Sequence, residues 1–191
     1  MYTYCVTGHR PNKLFGYDWN TEENKRLMTA MKELYLENMY EYESVYGDNN
    51  FTWIVGGALG IDQMTHQILN EIKEEVNDLN ITITLAEPFD GFYGRWSIYD
   101  VRRYFSLRDT ADKFVRVSEL DNYKINCPVN CEKEKWVVSA MLQKRNEYMV
   151  DNSNEVIAWW DGTNGGTANC VRYAKSKGKT ICQYNPKNLH I

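Results

Sequence analysis

Short apolar and β-branched runs alternate with amphipathic stretches along the whole chain, and this alternation restricts the fold more than any single motif. Strands are predicted at residues 3–7, 51–55, 81–86, 113–118, 155–160 and 179–183. Between the first two runs Leu27, Met31, Leu34 and Tyr35 repeat at helical spacing, behind a capping-box-like start at Asn20 and Glu23. Ile61, Met64, Ile68, Ile72 and Val76 mark a second helix, and further helices are predicted over 137–149 and 167–177. Such alternation predicts an α/β fold, a Rossmann-like and mostly parallel sheet with helices on both faces. One domain spanning residues 1–191 is expected, because a chain of 191 residues can bury a core of its own.

Two stretches interrupt the pattern. Residues 88–112 are rich in aromatic residues and arginine and read as a cap or active-site loop. Residues 120–135 are polar, without periodicity, and read as an irregular insertion. A hydrophobic content of 43% with 25% charged residues is that of a globular chain, so disorder is not expected. The net charge of −4 weighs against a broad nucleic-acid surface, which draws on a basic face. No apolar run reaches the roughly 20 residues of a membrane span, and MYTYCVTGHR is not a signal peptide. A cytoplasmic protein with no membrane partner is therefore expected. Five scattered cysteines, of which only Cys127 and Cys131 are close, give no metal motif, and neither a metal nor a cofactor is predicted.

In a parallel sheet, ligands sit beyond the carboxyl ends of the strands. The loops there read TGHRPN, VGGALGID and WWDGTNGGT. In the second, Gly56, Gly57 and Gly60 with Ala58 allow close backbone approach, and the following helix offers amides to an anion. Asp62 would accept from a ribose hydroxyl or cap that helix. In the third, Asp161, Gly165, Gly166 and Thr167 repeat the arrangement. Trp159 and Trp160 point to opposite faces, one toward the core and the other available to stack on a base. In the first, Gly8, His9 and Arg10 stand over the strand ends, with His9 as a donor or a structural residue. Arg145 falls on the apolar stripe of its helix, four residues from both Met141 and Met149. A guanidinium there needs an anion: an internal carboxylate such as Asp151 or Asp161, or a ligand phosphate held bidentately. Trp96 and Tyr93 are further candidates to stack on a base.

The set TGHRP, GGALGID, QKRNEYMVDNS and WDGTNGGTANCVRYAKSKGK resembles the SLOG superfamily of Rossmann-like nucleotide-binding proteins, closest to its small bacterial and phage members. That superfamily includes the LOG phosphoribohydrolases and the DNA-processing protein A family. The resemblance to LOG enzymes places Arg145 and Met149 on their arginine and methionine, and Gly166 and Thr167 on their glycine turn. Their neighbouring lysine is Asn146 here. Their catalytic glutamate is Cys170 here, which implies a site that holds a nucleotide or nucleotide-derived signal without cutting it. The alternatives are an N-glycosidic hydrolase using Asp62 or Asp161 in place of the glutamate, and single-stranded DNA binding, against which the acidic balance counts. The resemblance also implies a homo-oligomer, a dimer or higher.

Overall fold

The computed structural model describes residues 1–126 and 134–188, so Cys127, Cys131 and the middle of the predicted insertion lie outside the described residues. Six strands form one parallel sheet: β1 (Tyr2–Gly8), β2 (Asn50–Val55), β3 (Asn80–Glu87), β4 (Lys113–Arg116), β5 (Glu155–Trp159) and β6 (Thr180–Tyr184). Their order across the sheet is β4-β3-β2-β1-β5-β6. Five helices connect them: α1 (Glu22–Tyr46), α2 (Ile61–Glu75), α3 (Ile98–Asp109), α4 (Lys135–Asp151) and α5 (Gly166–Ser176).

Alternate residues of each strand face opposite sides, and the two sides carry different side chains. On one, Tyr4, Val6, Phe51, Trp53, Ile83, Ile157 and Trp159 pack against Leu27, Met31 and Tyr35 of α1 and Ile61, Met64 and Ile68 of α2. On the other, Cys5, Ile54, Ala86 and Val156 pack against Met149 and Val150 of α4 and Cys170 and Ala174 of α5. The first face is aromatic, and several of its polar tips are paired inside the core, although Trp53 Nε1 has no partner among the described residues. Trp159 Nε1 donates to Tyr35 Oη at 3.0 Å, and Tyr35 Oη shares a 2.8 Å bond with Thr65 Oγ1. This chain joins β5, α1 and α2, and removing its central hydroxyl would strand a buried indole donor at a cost of about 1–3 kcal/mol.

Two sequence readings change. The cap of α1 is Thr21, whose hydroxyl accepts from the Asn24 amide, rather than Asn20 one residue earlier. The stretch 88–112 holds a regular helix, α3, where a loop was expected. Its buried positions are Asp100, Tyr104 and Leu107, so the stripe that should announce it contains a carboxylate and a tyrosine. Asp100 is tolerated because Ser97 Oγ and Arg103 both donate to it.

Candidate functional site

The first three connections carry the chain from β1 outward to β4, and the chain then returns to lay β5 on the other side of β1. Gly8 is paired with Trp159, and the His9 amide donates to the Trp159 carbonyl at 3.2 Å. Beyond that bond the two chains part, one toward α1 and the other toward α5. A crevice at such a reversal of strand order is where open α/β sheets bind ligands. A cavity of about 280 Å³ lies there, lined from β1 by Gly8, His9 and Arg10 and from the α5 turn by Gly165, Gly166 and Thr167. Asp62, Ala58 and Arg145 form its floor, and Lys13 and Asn146 complete the wall.

The turn between β5 and α5 is tied from several directions. Asp161 Oδ1 accepts from the Thr163 amide at 3.0 Å and the Thr163 hydroxyl at 2.7 Å. His9 Nε2 lies 2.7 Å from the same oxygen and 3.2 Å from the Asp161 amide nitrogen. The bonds from Thr163, with a further contribution from His9, hold the Asp161 carboxyl well below the usual carboxylate range. Trp160 Nε1 donates to the Thr163 carbonyl at 2.7 Å, so this indole braces the turn and does not line the cavity. Lys13 Nζ donates to Thr163 Oγ1 and the Asn164 carbonyl at 2.8 and 3.1 Å, and Thr167 Oγ1 donates to the Gly8 carbonyl at 2.9 Å. None of these bonds uses the amides of Gly166, Thr167 or Ala168, which open α5 without an acceptor among the described residues. Nothing stands within 4 Å of where a Gly166 Cβ would be. Three free amides at a helix start, beside a cavity, hold negative charge.

The turn between β2 and α2 has the same kind of sequence and a different structure. A Cβ on Gly56 would lie 1.4 Å from Arg145 Nη1, so this glycine admits a side chain. Gly60, at φ +93°, brings the turn against β1, where a Cβ would meet the His9 carbonyl oxygen at 2.4 Å. Gly57 packs against Leu85 and Tyr104. The Ile61 amide donates to His9 and the Gln63 amide to Ala58, while the Ala58 amide donates to Asp62 Oδ2 at 3.3 Å. The amides expected to cradle phosphate are thus largely taken, and a carboxylate already sits among them.

That carboxylate also answers the question posed by Arg145. Arg145 Nη1 donates to Asp62 Oδ2 at 3.0 Å, with both residues buried. The internal partner is neither Asp151, which accepts from Tyr123 and Tyr173, nor Asp161, which serves its own turn. Asp62 is 83 residues away in sequence, beyond any local pattern. Arg145 Nε still lacks a partner among the described residues. Arg10 differs. Its backbone is extended, as the residue before a proline tends to be, and its guanidinium makes no hydrogen bond or ion pair among the described residues. Burial lowers its pKa, with Asp62 opposing and Arg145 reinforcing that effect.

Cys170 is fully buried in the second core, and burial pushes its thiol up to about 11. It is therefore no nucleophile at neutral pH. Trp96 and Tyr93 lie in an aromatic cluster with Phe92 and Tyr104, away from this cavity. Lys13, Asn146 and Asn164 were not singled out as site residues in the sequence; Asn146 stood beside Arg145 in the resemblance to LOG enzymes, and Lys13 lies three residues after Arg10 in RPNK. Among the described residues no three His, Cys, Asp or Glu side chains gather as a metal site, and no helix is long and apolar enough to cross a membrane.

A reversed parallel sheet with its cavity at the reversal, a tied glycine turn and open helix amides is the Rossmann-like arrangement of nucleotide-binding proteins. The chain belongs to the YspA SLOG family, which matches residues 4–191. It is 37% identical over 148 residues to an uncharacterised SPbeta prophage-derived protein, YoqJ, of Bacillus subtilis, covering 78% of this chain and 81% of that one. A UPF0398 protein of Ligilactobacillus salivarius is 24% identical over 162 residues, covering 84% of this chain and 75% of that one. Among solved structures, DNA processing protein A from Helicobacter pylori, described with a single-stranded DNA binding mode, shares the fold at a TM-score of 0.50 and 14% identity. That match covers 95% of this chain but 64% of the other.

Proposed function

We propose that the protein binds a small nucleotide, with its phosphate on the amides of Gly166, Thr167 and Ala168. The observation that carries this reading is the pairing of those open amides with a cavity whose Arg10 guanidinium has no partner among the described residues. Arg10 and Lys13 supply the positive charge. Arg145 is committed to Asp62 and offers at most its unpartnered Nε. A carboxylate in the floor favours a ligand that also brings hydroxyl donors, as a ribose does. The cavity, at about 280 Å³, lies at the lower edge of the 300–1,000 Å³ typical of small-molecule sites. Sensing or sequestering a nucleotide-derived signal suits a site with no free acid at position 170.

Calorimetry against nucleoside monophosphates and signalling nucleotides tests this. Binding well below about 1 mM is expected, weakened at least tenfold in Arg10→Ala and partly restored in Arg10→Lys. Absence of binding at that concentration, or an unchanged affinity in folded Arg10→Ala, overturns it.

One observation favours a second reading, cleavage of an N-glycosidic bond. Asp62 and Arg145 lie close enough to Cys170 for both to act on its thiol, so Asp62 brings a carboxylate near the place where LOG enzymes carry glutamate. Release of free base from a bound monophosphate, abolished in Asp62→Asn with binding retained, would replace the binding reading with this one. Oligonucleotide binding that outcompetes every mononucleotide would instead support a role like that of the DNA-binding structural relative.

A further inference from the structure

In the turn between β5 and α5, Asp161, Thr163 and Thr167 all use their side chains to hold the loop. Asn164 does not. Its side-chain amide is exposed and makes no hydrogen bond among the described residues. It lines the cavity together with Lys13 and Gly165. It also precedes a glycine, and residues 164–165 are the only Asn-Gly step in the chain.

Such a step carries a reaction of its own. The deprotonated backbone nitrogen of the glycine attacks the side-chain carbonyl carbon of the asparagine and closes a succinimide ring, and no Cβ hinders its approach. Three features of this turn favour closure. The Gly165 amide has no acceptor among the described residues, so the attacking nitrogen is not held elsewhere. Only Lys13 Nζ, at 3.9 Å, stands near where a Gly165 Cβ would be. Lys13 Nζ also donates to the Asn164 carbonyl oxygen at 3.1 Å, and that oxygen belongs to the same peptide group as the Gly165 nitrogen. Deprotonation spreads negative charge over this oxygen and nitrogen, so an ammonium on the oxygen stabilises the reacting form. The Asn-Ser step at 152–153 lacks these features. Asn152 Nδ2 donates to the Tyr148 carbonyl at 2.8 Å, and the Ser153 amide donates to the Val150 carbonyl.

We propose that Asn164 is a self-modification site whose conversion to aspartate or isoaspartate, promoted by Lys13, closes the crevice to anions. The Gly165 nitrogen loses its proton and bonds to Asn164 Cγ, the bond from Cγ to Nδ2 breaks, and Nδ2 takes up a proton and leaves as ammonia. Water then opens the ring at one of its two carbonyl carbons. Opening at Cγ gives aspartate, and opening at the backbone carbonyl gives isoaspartate, with the chain running through the former side chain. Either product sets a carboxylate beside Lys13 in the cavity wall. The effect on binding rests on the nucleotide reading of that cavity; the conversion does not.

Peptide mapping of the full chain, aged at mildly alkaline pH, tests the conversion. Asn164 should turn into aspartate and isoaspartate while Asn152 stays intact. Lys13→Met should slow that conversion severalfold in the folded protein and leave it unchanged in urea, with circular dichroism establishing that the variant is folded. By calorimetry, AMP affinity should fall as the converted fraction grows, and Asn164→Asp should bind AMP about fivefold more weakly than the fresh chain. An Asn164 that outlasts Asn152, or a folded-state rate unchanged in Lys13→Met, overturns the proposal. Full conversion with AMP affinity unchanged overturns its effect on the crevice. A fresh chain that does not bind AMP overturns the nucleotide reading instead, and the mapping still decides the modification.

Discussion

In the turn after β2, the glycines let other parts of the protein in: Arg145 passes over Gly56, and β1 presses against Gly60. In the turn after β5, the Gly166 position faces empty space, and the surrounding bonds shape the loop without occupying its amides. The two turns look alike as GGALGID and DGTNGGT, yet one is filled by the protein and the other keeps its helix-start amides open. The difference lies in which groups compete for the amides. Asp62 sits inside its own turn and is neutralised by Arg145, whereas Asp161 stands at the edge of its turn and binds Thr163 and His9.

That contrast can be broken experimentally. Gly56→Ala should have the largest effect, because its methyl cannot coexist with the Arg145 side chain. Displacing Arg145 leaves Asp62 buried without its partner, and a loss of about 3–5 kcal/mol in urea unfolding is expected. Arg145→Met should cost a similar amount by the same route, and an unchanged midpoint in both variants would mean that the pair is not structural. A smaller effect comes from acidification. Burial lowers His66, on α2, from 6.5 to about 4, so between those values the unfolded chain binds a proton that the folded chain does not. Stability is therefore full above pH 6.5 and falls as pH drops toward 4, by up to about 3 kcal/mol at 1.36 kcal/mol per pH unit. His66→Gln should flatten that slope. Asp161 works in the same direction at lower pH: its depressed carboxyl stays ionised through this window and its contribution is lost only in stronger acid. Acid should thus loosen α2 before the α5 turn, which hydrogen exchange can follow. Smallest is Gly166→Ala, which should move stability by less than about 1 kcal/mol, since the position is open and alanine favours helix. If Gly166→Ala destabilises as much as Gly56→Ala, the contrast between the turns fails.

Much of the fold was legible in the sequence because its signals are local. Alternating strand and helix periods placed all six strands, and the rule that ligands sit at strand ends placed the crevice. Helix α3 escaped because its inward face carries Asp100, whose partners Ser97 and Arg103 are recognisable only once the helix exists. Within the site, the inward direction of Arg145 was readable from its stripe, but its partner was not. An ion pair between residues 62 and 145 joins α2, on one face of the sheet, to α4, on the other, and leaves no mark in either local pattern. For the same reason our proposal gives the cation role to Arg10, since Asp62 takes Arg145.

The sheet order has a consequence for how the protein comes into being. β1 precedes the other five strands of the sheet, yet its neighbour beside the cavity is β5, and the open amides belong to α5, which follows β5. On a ribosome, the growing polypeptide can emerge with four of its strands while Ile157 and Trp159 are still missing from the aromatic core and the crevice has only one wall. The nascent chain therefore has no complete crevice until β5 and α5 have both been made.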